Sequence, residues 1–373
     1  MPTNTAAWLP APRSPLAVGG APYTSPGPLE IVVRNGAVAI NPLEWILQLV
    51  GSLIYPWLKY PFVLGSDVAG TVVEVGSQVT RFSVGDRVLA HAVGTDRDSN
   101  SSARGAFQQY VVVLEKLAAA IPDSLPFSDA AVLPLGVSTA ACALFQTDQL
   151  SLRYPSLDSR PTGQTILVWG GATSVGSNAI QLAVAAGYEV VATASPRSAE
   201  YVRGLGAIAV VDYASPTAVE QLITLLDGKD VAGAIAVATG SAVACAAVLR
   251  RSRGRRFLSM VGAPAAWSEV ARKRSSLPRV MAGVAASVIG IGVRCALWRI
   301  PNKAVFGSSL KNNEVGDAVY AQFLPAALAA GTYLAVPKAH IVGHGLDFVQ
   351  PALEEQQRGV SARKLVVTLD EAV

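Results

Sequence analysis

The chain has 373 residues, enough for two domains or one large one, and 51% of them are apolar while only 15% are charged. This composition excludes a disordered chain, and the mean hydropathy of +0.38 raises the question of a membrane protein. The longest uncharged apolar run, 280–293, ends at Arg279 and Arg294, and it is shorter than the roughly 18 residues that cross a bilayer. The amino terminus carries no secretory signal pattern, so we expect a cytoplasmic protein without a membrane span.

The charge balance is weakly basic, with 30 Lys and Arg against 26 Asp and Glu, a net charge of +4 and a pI near 9.0. The densest positive charge is an arginine cluster formed by Arg250, Arg251, Arg253, Arg255 and Arg256. Such a cluster can bind phosphates or nucleic acid, but no aromatic residues alternate with the arginines, which favours a solvated helix end and turn. We therefore expect no nucleic-acid partner.

The amino-terminal third of the chain, to about residue 125, consists of short valine-rich runs bounded by turn residues, which predicts an all-β domain with a compact barrel. The predicted strands are 29–33 and 37–40 on either side of Asn35-Gly36, then 70–76, 85–90 and 107–113.

From Ser128 onward the pattern changes to alternating helices and strands. Strands are predicted at 165–169, 189–194, 207–211, 233–238 and 256–261, and helices at 129–145, 175–186, 199–205, 217–226 and 242–250. Strict alternation indicates a parallel sheet with helices on both faces. The tail adds helices at 313–330 and 346–358, an extended piece at 340–342 and a strand at 364–369, and it can return to the β domain.

The strongest chemical signal is Ile166-Leu-Val-Trp-Gly-Gly-Ala-Thr-Ser-Val-Gly176, an apolar strand, a glycine turn and the start of a helix. In a dinucleotide-binding fold this geometry directs free backbone N–H groups and the positive helix end at a pyrophosphate. Gly171 is the predicted tight turn and Gly176 the close helix-to-strand contact. Thr173 replaces the middle glycine of G-x-G-x-x-G, with a hydroxyl that can donate to phosphate. At the head of a β-α-β alternation, the segment predicts a nucleotide site.

The residues after the next strand indicate the cofactor type, because an acidic side chain there favours NAD and a basic one makes room for the 2′-phosphate of NADP. The chain has Ser195, Arg197 and Ser198 at this place and no acidic residue. We therefore predict NADP(H), against the alternative of an ordinary polar loop and helix cap. Tyr213, just beyond the third strand, is placed to lie against the adenine or ribose.

With this loop in its second half and a β domain before it, the sequence resembles the medium-chain dehydrogenase/reductase superfamily. Within it, the chain is similar to the fungal zinc-independent branch of quinone-reductase-like enzymes and stand-alone enoyl reductases. The segments that carry the resemblance are 38–42, 65–76, 84–88, 105–110, 133–141, 306–316, 345–346 and 359–364. It implies an α/β protein in which a GroES-like β-barrel domain, 1–134 and 307–373, is interrupted by a Rossmann domain, 135–306, with a doubly wound parallel sheet.

Zinc-dependent members of the superfamily carry G-H-E where this chain has Gly65-Ser66-Asp67, and they use a catalytic cysteine and histidine and a four-cysteine lobe. Here Cys142, Cys245 and Cys295 lie far apart, and His91 has no partner at zinc spacing. The resemblance therefore implies a site without zinc. Without that Lewis acid, alcohol dehydrogenation is the less favoured chemistry.

Reduction of an activated C=C bond suits such a site, because NADPH delivers hydride to the β-carbon and hydrogen-bond donors stabilise the resulting enolate. The resemblance places Thr139, the predicted catalytic residue, beside the nicotinamide, where its hydroxyl can hydrogen-bond the carboxamide or the substrate carbonyl. The alternative is a helix residue bonding back to its own backbone. Related enoyl reductases often read N-P-x-D-x-K, whereas this chain reads Asn41-Pro-Leu-Glu44-Trp45-Ile46. Isoleucine thus replaces the lysine that would contact cofactor or substrate.

Two apolar segments, 45–57 and 280–293, predict a pocket for a large apolar substrate, with core packing or a subunit interface as the alternative. The predicted cofactor residues are Asn41, Glu44, Trp45, Ile46, Thr139, Gly171, Ala172, Thr173, Ser174, Val175, Gly176, Ser195, Arg197, Ser198, Tyr213, Val261, Gly262, Ala362 and Arg363. The predicted substrate residues are Trp45, Ala140, Leu144, Phe306 and Gly307. No metal ligand is predicted.

The sequence thus predicts an NADPH-dependent, zinc-free oxidoreductase that reduces a conjugated enoyl, enone or quinone-like substrate in fungal secondary metabolism. Its expected partner is an apolar small molecule, free or as a carrier-bound polyketide. The missing lysine at Ile46 motivates an alternative, a dinucleotide-binding fold recruited for a non-redox task such as guiding the cyclisation of an apolar intermediate. Nucleic-acid binding through the arginine cluster is least favoured, and the oligomeric state is left open.

Overall fold

The computed structural model describes residues 2–262 and 276–369, and the chain divides into two compact units. Unit 1 is Met1–Leu135 with Tyr320–Val373, and unit 2 is Gly136–Val319. We predicted that the β domain resumes at residue 307, but 307–319 belongs to unit 2. The reason is local packing, since Gln146 Nε2 donates to Ser309 Oγ at 2.8 Å and Cys142 Sγ donates to the Gly307 carbonyl at 3.6 Å.

The strands, in chain order, are β1 (Asn4–Leu9), β2 (Ala17–Ala21), β3 (Glu30–Ala39), β4 (Phe62–Val63), β5 (Asp67–Val75), β6 (Arg87–His91), β7 (Tyr110–Leu114), β8 (Ala118–Ala120), β9 (Gln164–Trp169), β10 (Glu189–Ala194), β11 (Ala207–Asp212), β12 (Asp230–Ala236), β13 (Arg253–Gly254), β14 (Leu258–Met260), β15 (Asn302–Ala304), β16 (Lys338–His344) and β17 (Arg363–Thr368).

The helices are α1 (Pro42–Ile54), α2 (Phe127–Ala130), α3 (Pro134–Phe145), α4 (Ser174–Ala185), α5 (Ala199–Gly204), α6 (Ala218–Leu225), α7 (Ser241–Arg251), α8 (Leu277–Trp298), α9 (Leu324–Ala329) and α10 (Val349–Arg358). Short 3₁₀ turns occupy Ser102–Arg104, Glu115–Leu117, Pro196–Ser198, Ser309–Asn312 and Leu346–Phe348, and Asp317–Phe323 is π-helical.

The main sheet of unit 1 has the strand order β16-β17-β3-β5-β6-β8, with β7 also paired with β3, and a smaller sheet has the order β2-β1-β4. Strand β3 is continuous through Asn35-Gly36, where we predicted a turn between two strands, and its register with β5 shifts there. The buried Asn35 Nδ2 donates to the carbonyls of Ala106 at 2.9 Å and Gln108 at 2.7 Å. These long-range bonds make the polar pair a bulge inside a strand rather than a turn.

Helix α1 was not predicted, although its start carries a recognisable cap. Backbone Asn41 N–H donates to Glu44 Oε2 at 2.7 Å, and Pro42 opens the helix, as in a capping box followed by proline at the first position. The apolar run that begins at Trp45 forms the body of this helix and buries Trp45, Leu47 and Val50.

Unit 2 contains a parallel sheet in the order β11-β10-β9-β12-β14-β15, which is the 3-2-1-4-5-6 order of nucleotide-binding folds. The central strand β9 is buried along nearly its whole length, because strands lie on both sides of it and helices cover both faces. The predicted doubly wound sheet is therefore present, with β15 as an additional edge strand. Its core joins strand residues such as Leu167 and Val191 to helix residues such as Leu222 and Leu249.

Two segments are long and apolar enough to cross a membrane by length and composition, Phe127–Phe145 and Leu277–Trp298. The first is 78% buried, as a core helix is, whereas the second, α8, is only 17% buried. The run 280–293, for which we considered a pocket lining or core packing, is the middle of α8. Within that run Val280 and Ile291 are buried, so core packing accounts for only one narrow side of the helix.

Candidate functional site

The predicted nucleotide loop of unit 2 joins β9 to α4, and Thr173 closes it. Gly176 N–H donates to Thr173 Oγ1 at 3.0 Å, and Thr173 Oγ1 donates to the Gly170 carbonyl at 2.8 Å. Thr173 is therefore the N-cap of α4. Its hydroxyl proton is used within the loop, which differs from the predicted donation to a phosphate.

Gly176 is required by the close approach of α4 to the end of β9. A Cβ at this position would lie 2.1 Å from the Gly170 carbonyl oxygen, a distance that no side chain tolerates. The glycine therefore allows the first turn of the helix to pack directly on the loop, as the sequence pattern predicted.

The first turn of α4 has unused hydrogen-bonding capacity. Ser174 Oγ is buried and has no hydrogen-bond partner among the described residues. The N–H groups of Ser174 and Val175 lie in the first turn, where a helix supplies no internal acceptor. An anionic group here would provide acceptors for these donors and would be stabilised by the helix dipole. The loop 171–176 therefore fits a pyrophosphate.

Further predicted cofactor residues lie at the carboxyl ends of the parallel strands of unit 2. After β10, Ser195 Oγ donates to Ser198 Oγ at 3.3 Å, and the exposed Arg197 makes no side-chain hydrogen bond or ion pair with any residue that the structure describes. After β11, Tyr213 is 54% exposed. After β14, the N–H groups of Val261 and Gly262 both donate to the Ala236 carbonyl, at 2.9 and 3.1 Å. These residues therefore lie along one edge of the sheet, as in nucleotide-binding folds.

Thr139 lies on α3 and is 7% exposed. A Cβ on Gly307 would lie 2.3 Å from Thr139 Oγ1, so the backbone at 307 approaches this hydroxyl closely and only glycine permits the approach. The neighbouring Phe306 is 64% exposed. Ala140 and Leu144, also predicted for substrate, are fully buried and present no surface to a ligand.

Unit 1 contains a buried polar cluster around Asp67. Asp67 belongs to the segment Gly65-Ser66-Asp67, for which the resemblance implies G-H-E in zinc-dependent enzymes. Asp67 Oδ2 accepts from Asn41 Nδ2 at 2.8 Å and pairs with Lys364 Nζ at 2.9 Å. Asp67 Oδ1 accepts from the backbone N–H of Leu135 at 2.6 Å. Lys364 Nζ also donates to Asn41 Oδ1. We call Asn41, Glu44, Asp67 and Lys364 the lysine cluster.

Burial raises the pKa of Glu44 to about 7, and repulsion from Asp67 adds to this effect, while Lys364 and a hydrogen bond with Ser66 oppose it. Two carboxyl groups and one ammonium are enclosed here, with Asp67 fully buried and Lys364 5% exposed. A proton on Glu44 leaves one positive and one negative charge, and this neutral combination is the one that burial favours.

Lys364, which was not predicted as a site residue, supplies a buried cation in the same unit as Ile46. Its signal was a lysine at the head of the apolar run Leu365-Val-Val367, whose residues are buried in β17. Arg363 and Ala362, the neighbouring residues that were predicted to bind the cofactor, lie in different surroundings from Lys364. Arg363 Nη2 pairs with Glu355 Oε1 at 3.1 Å, and Ala362 has a positive φ of 53°.

Trp45 and Ile46, the other residues predicted on α1, lie in different surroundings from the lysine cluster. Trp45 lines an open groove of about 500 Å³ together with Gln48 and Leu353, while Ile46 is half-buried. His91 is buried and lies opposite Asp67 in the register of β5 and β6. In the described ranges 2–262 and 276–369, no three His, Cys, Asp or Glu side chains are grouped to hold a metal ion.

Known protein families match parts of both units. A family model described as alcohol dehydrogenase GroES-like domain matches residues 27–123, and one described as zinc-binding dehydrogenase matches residues 174–291. Dehydrogenase pigH from Monascus ruber is 50% identical over 371 residues, covering 99% of this chain and 100% of that protein. The chain belongs to the medium-chain dehydrogenase/reductase superfamily.

A second fungal relative supports an oxidoreductase activity, and a solved structure supports the fold. Trans-enoyl reductase himH from Aspergillus japonicus is 40% identical over 369 residues, covering 98% of this chain and 97% of that protein. A mycobacterial structure complexed with NADPH matches with a TM-score of 0.67 and 22% identity, covering 98% of this chain and 99% of that chain. The α/β fold with GroES-like and Rossmann-type units is confirmed. The fungal relatives support an oxidoreductase of secondary metabolism.

Proposed function

We propose that this protein is an NADPH-dependent, zinc-independent reductase of an activated C=C bond in an enoyl, enone or quinone-like substrate. The observation that carries the proposal is the nucleotide loop of unit 2, with its Thr173 cap, the close approach at Gly176 and the unpaired Ser174 hydroxyl. When bound there, NADPH supplies a hydride; the residues of the chain bind it, orient it and stabilise the charge that develops on the substrate.

The preference for NADPH over NADH rests on the end of β10. A 2′-phosphate carries negative charge, and Arg197 offers an exposed guanidinium with no partner among the described residues, while Ser195 and Ser198 offer hydroxyls. No carboxylate stands in this segment to accept a ribose 2′-hydroxyl or to repel a phosphate. The NADPH in the mycobacterial relative supports the same assignment.

Zinc independence rests on the lysine cluster. Both oxygens of Asp67 already accept hydrogen bonds, and Lys364 supplies the compensating positive charge at 2.9 Å. A zinc ion would have to displace that ammonium and would find no cysteine in the cluster. The chemistry therefore depends on hydrogen-bond donors rather than on a Lewis acid.

Thr139 is the donor that we assign to the substrate carbonyl. As hydride adds to the β-carbon, negative charge develops on that carbonyl oxygen, and a fixed hydroxyl stabilises it more in the transition state than in the ground state. The contact with Gly307 limits the positions that the Thr139 side chain can take. The α-carbon then takes a proton from water.

The test is oxidation of NADPH by purified protein, followed at the nicotinamide absorbance band, with a panel of α,β-unsaturated thioesters, ketones and quinones. We expect turnover with at least one class, unchanged after treatment with a zinc chelator. Binding of NADPH without oxidation across the whole panel would refute the reductase assignment and favour the non-redox alternative that Ile46 motivates. Ile46→Lys is the companion variant, since created or increased turnover would show that the missing lysine limits the reaction.

A further inference from the structure

Helix α8 exposes apolar side chains that the described residues of unit 2 leave uncovered. Ile289 is 65% exposed, Val293 53% and Leu297 76%. The buried residues of the helix are Val280, Ile291 and Cys295, on one side. An amphipathic surface helix would place charged residues opposite that side. Beyond Arg279 in its first turn, the opposite side of α8 carries apolar residues instead.

The outward stripe of α8 follows from helical spacing. Residues Ala282, Ala286, Ile289, Val293 and Leu297 recur at intervals of three and four and therefore share one face. All five are exposed, and none carries a hydrogen-bonding group on its side chain. A helix that is apolar around its circumference is normally enclosed by protein or lipid, so the outward stripe lacks the covering that its composition requires.

Positive charge lies at the carboxyl end of α8. Arg250 lies over the ring of Trp298, 5.2 Å from its centroid, which joins the arginine cluster at the end of α7 to the last turn of α8. In that cluster Arg251, Arg253 and Arg256 are exposed and have no ion-pair partner among the described residues. Neither 231–262 nor 276–305 contains an Asp or Glu. The surface thus combines an aliphatic stripe with uncompensated arginines.

The aliphatic stripe and the arginines together indicate which kind of partner fits this surface. A second copy that met this face would supply no Asp or Glu from 231–262 or 276–305 to pair with the arginines. A protein partner would be expected to meet aromatic and hydrogen-bonding groups, which the stripe lacks. An anionic lipid surface satisfies both properties, because acyl chains accept aliphatic side chains and acidic headgroups attract arginine.

We propose that α8 and the arginine cluster form an interfacial membrane-binding surface, with the outward stripe in the acyl boundary of an anionic bilayer and the arginines at its headgroups. The helix lies on the membrane and does not cross it. The uncharged stretch between Arg279 and Arg294 rises only about 20 Å, against roughly 30 Å of hydrocarbon. This surface is separate from the nucleotide loop and does not depend on the proposed activity.

The test is co-sedimentation of the full chain with vesicles of phosphatidylcholine alone and of phosphatidylcholine with 30% phosphatidylserine, at low and high salt. We expect binding to the serine-containing vesicles, weakened by salt. Ile289→Asp and Leu297→Asp should each lower the partition coefficient about tenfold or more. The matched control is Ile208→Asp, at an aliphatic residue of β11 that is 52% exposed, which should leave binding unchanged.

Several outcomes would overturn the proposal. These are no sedimentation with either vesicle, equal binding to both, or binding that Ile289→Asp and Leu297→Asp leave unchanged. A dimer in sedimentation velocity that the same two variants dissociate, without vesicle binding, would identify a second copy as the partner. Thermal midpoints are measured for every variant, and Ile289→Ser replaces the aspartate where that variant unfolds early.

Discussion

Replacement of Lys364 by methionine tests whether the lysine cluster is an ion-pair network on which unit 1 depends. Methionine keeps most of the side-chain volume and removes the ammonium that lies 2.9 Å from Asp67 Oδ2. Asp67 is fully buried, so the variant leaves a carboxylate without its counter-charge. Removing one partner of a buried pair costs about 3–5 kcal/mol.

We expect a loss near the lower end, about 3 kcal/mol, because Asp67 keeps its hydrogen bonds from Asn41 and from the backbone of Leu135. The free energy of unfolding is measured by urea titration at pH 8. Lys338→Met is the matched control, since Lys338 is exposed on the neighbouring strand β16. The double variant Lys364→Met with Asp67→Asn should recover part of the loss. A Lys364→Met protein as stable as the Lys338→Met control would show that the Lys364 ammonium does not stabilise unit 1.

Three further predictions concern pH, packing and cofactor choice. Burial raises the pKa of Glu44 from 4.5 to about 7 in the folded chain. The unfolded chain therefore loses this proton first, and the free energy of unfolding falls by up to about 3 kcal/mol as the pH rises from 4.5 to 7. Glu44→Gln should remove this fall in urea titrations, and a pH profile unchanged by the variant would contradict the prediction. Gly176→Ala places a Cβ 2.1 Å from the Gly170 carbonyl and should weaken NADPH binding, measured by calorimetry, at least tenfold (about 1.4 kcal/mol). Arg197→Ala should weaken NADPH binding about tenfold and leave NADH binding unchanged, whereas an equal loss for both would contradict the assignment.

The parallel sheet could be predicted from the sequence because its pattern is local. Each buried strand of unit 2 is a short apolar run followed by a helix, and the glycine loop at Gly171 and Gly176 marks the first crossover. Strand β15 was missed because Asn302–Ala304 is a short edge strand with little burial and therefore no apolar pattern.

Unit 1 was harder because its decisive interactions join distant parts of the chain. Asn35 is a turn residue by its type, but the carbonyls at 106 and 108 hold it inside a strand. The lysine cluster joins positions 41, 67 and 364, and no spacing rule connects them. Helix α1 is the case that could have been predicted, since the Asn41 and Glu44 pair is a capping box.

Hydride transfer from NADPH to a C=C bond without zinc is the reaction that we propose. Its most direct test uses NADPH deuterated at C4 of the nicotinamide, protein treated with a chelator, and the best substrate of the unsaturated thioester, ketone and quinone panel, with the product analysed by mass spectrometry. For a thioester or enone, we expect one deuterium at the β-carbon and a rate unchanged by the chelator. An unlabelled substrate despite bound cofactor, or label that appears only after zinc is added, would contradict it.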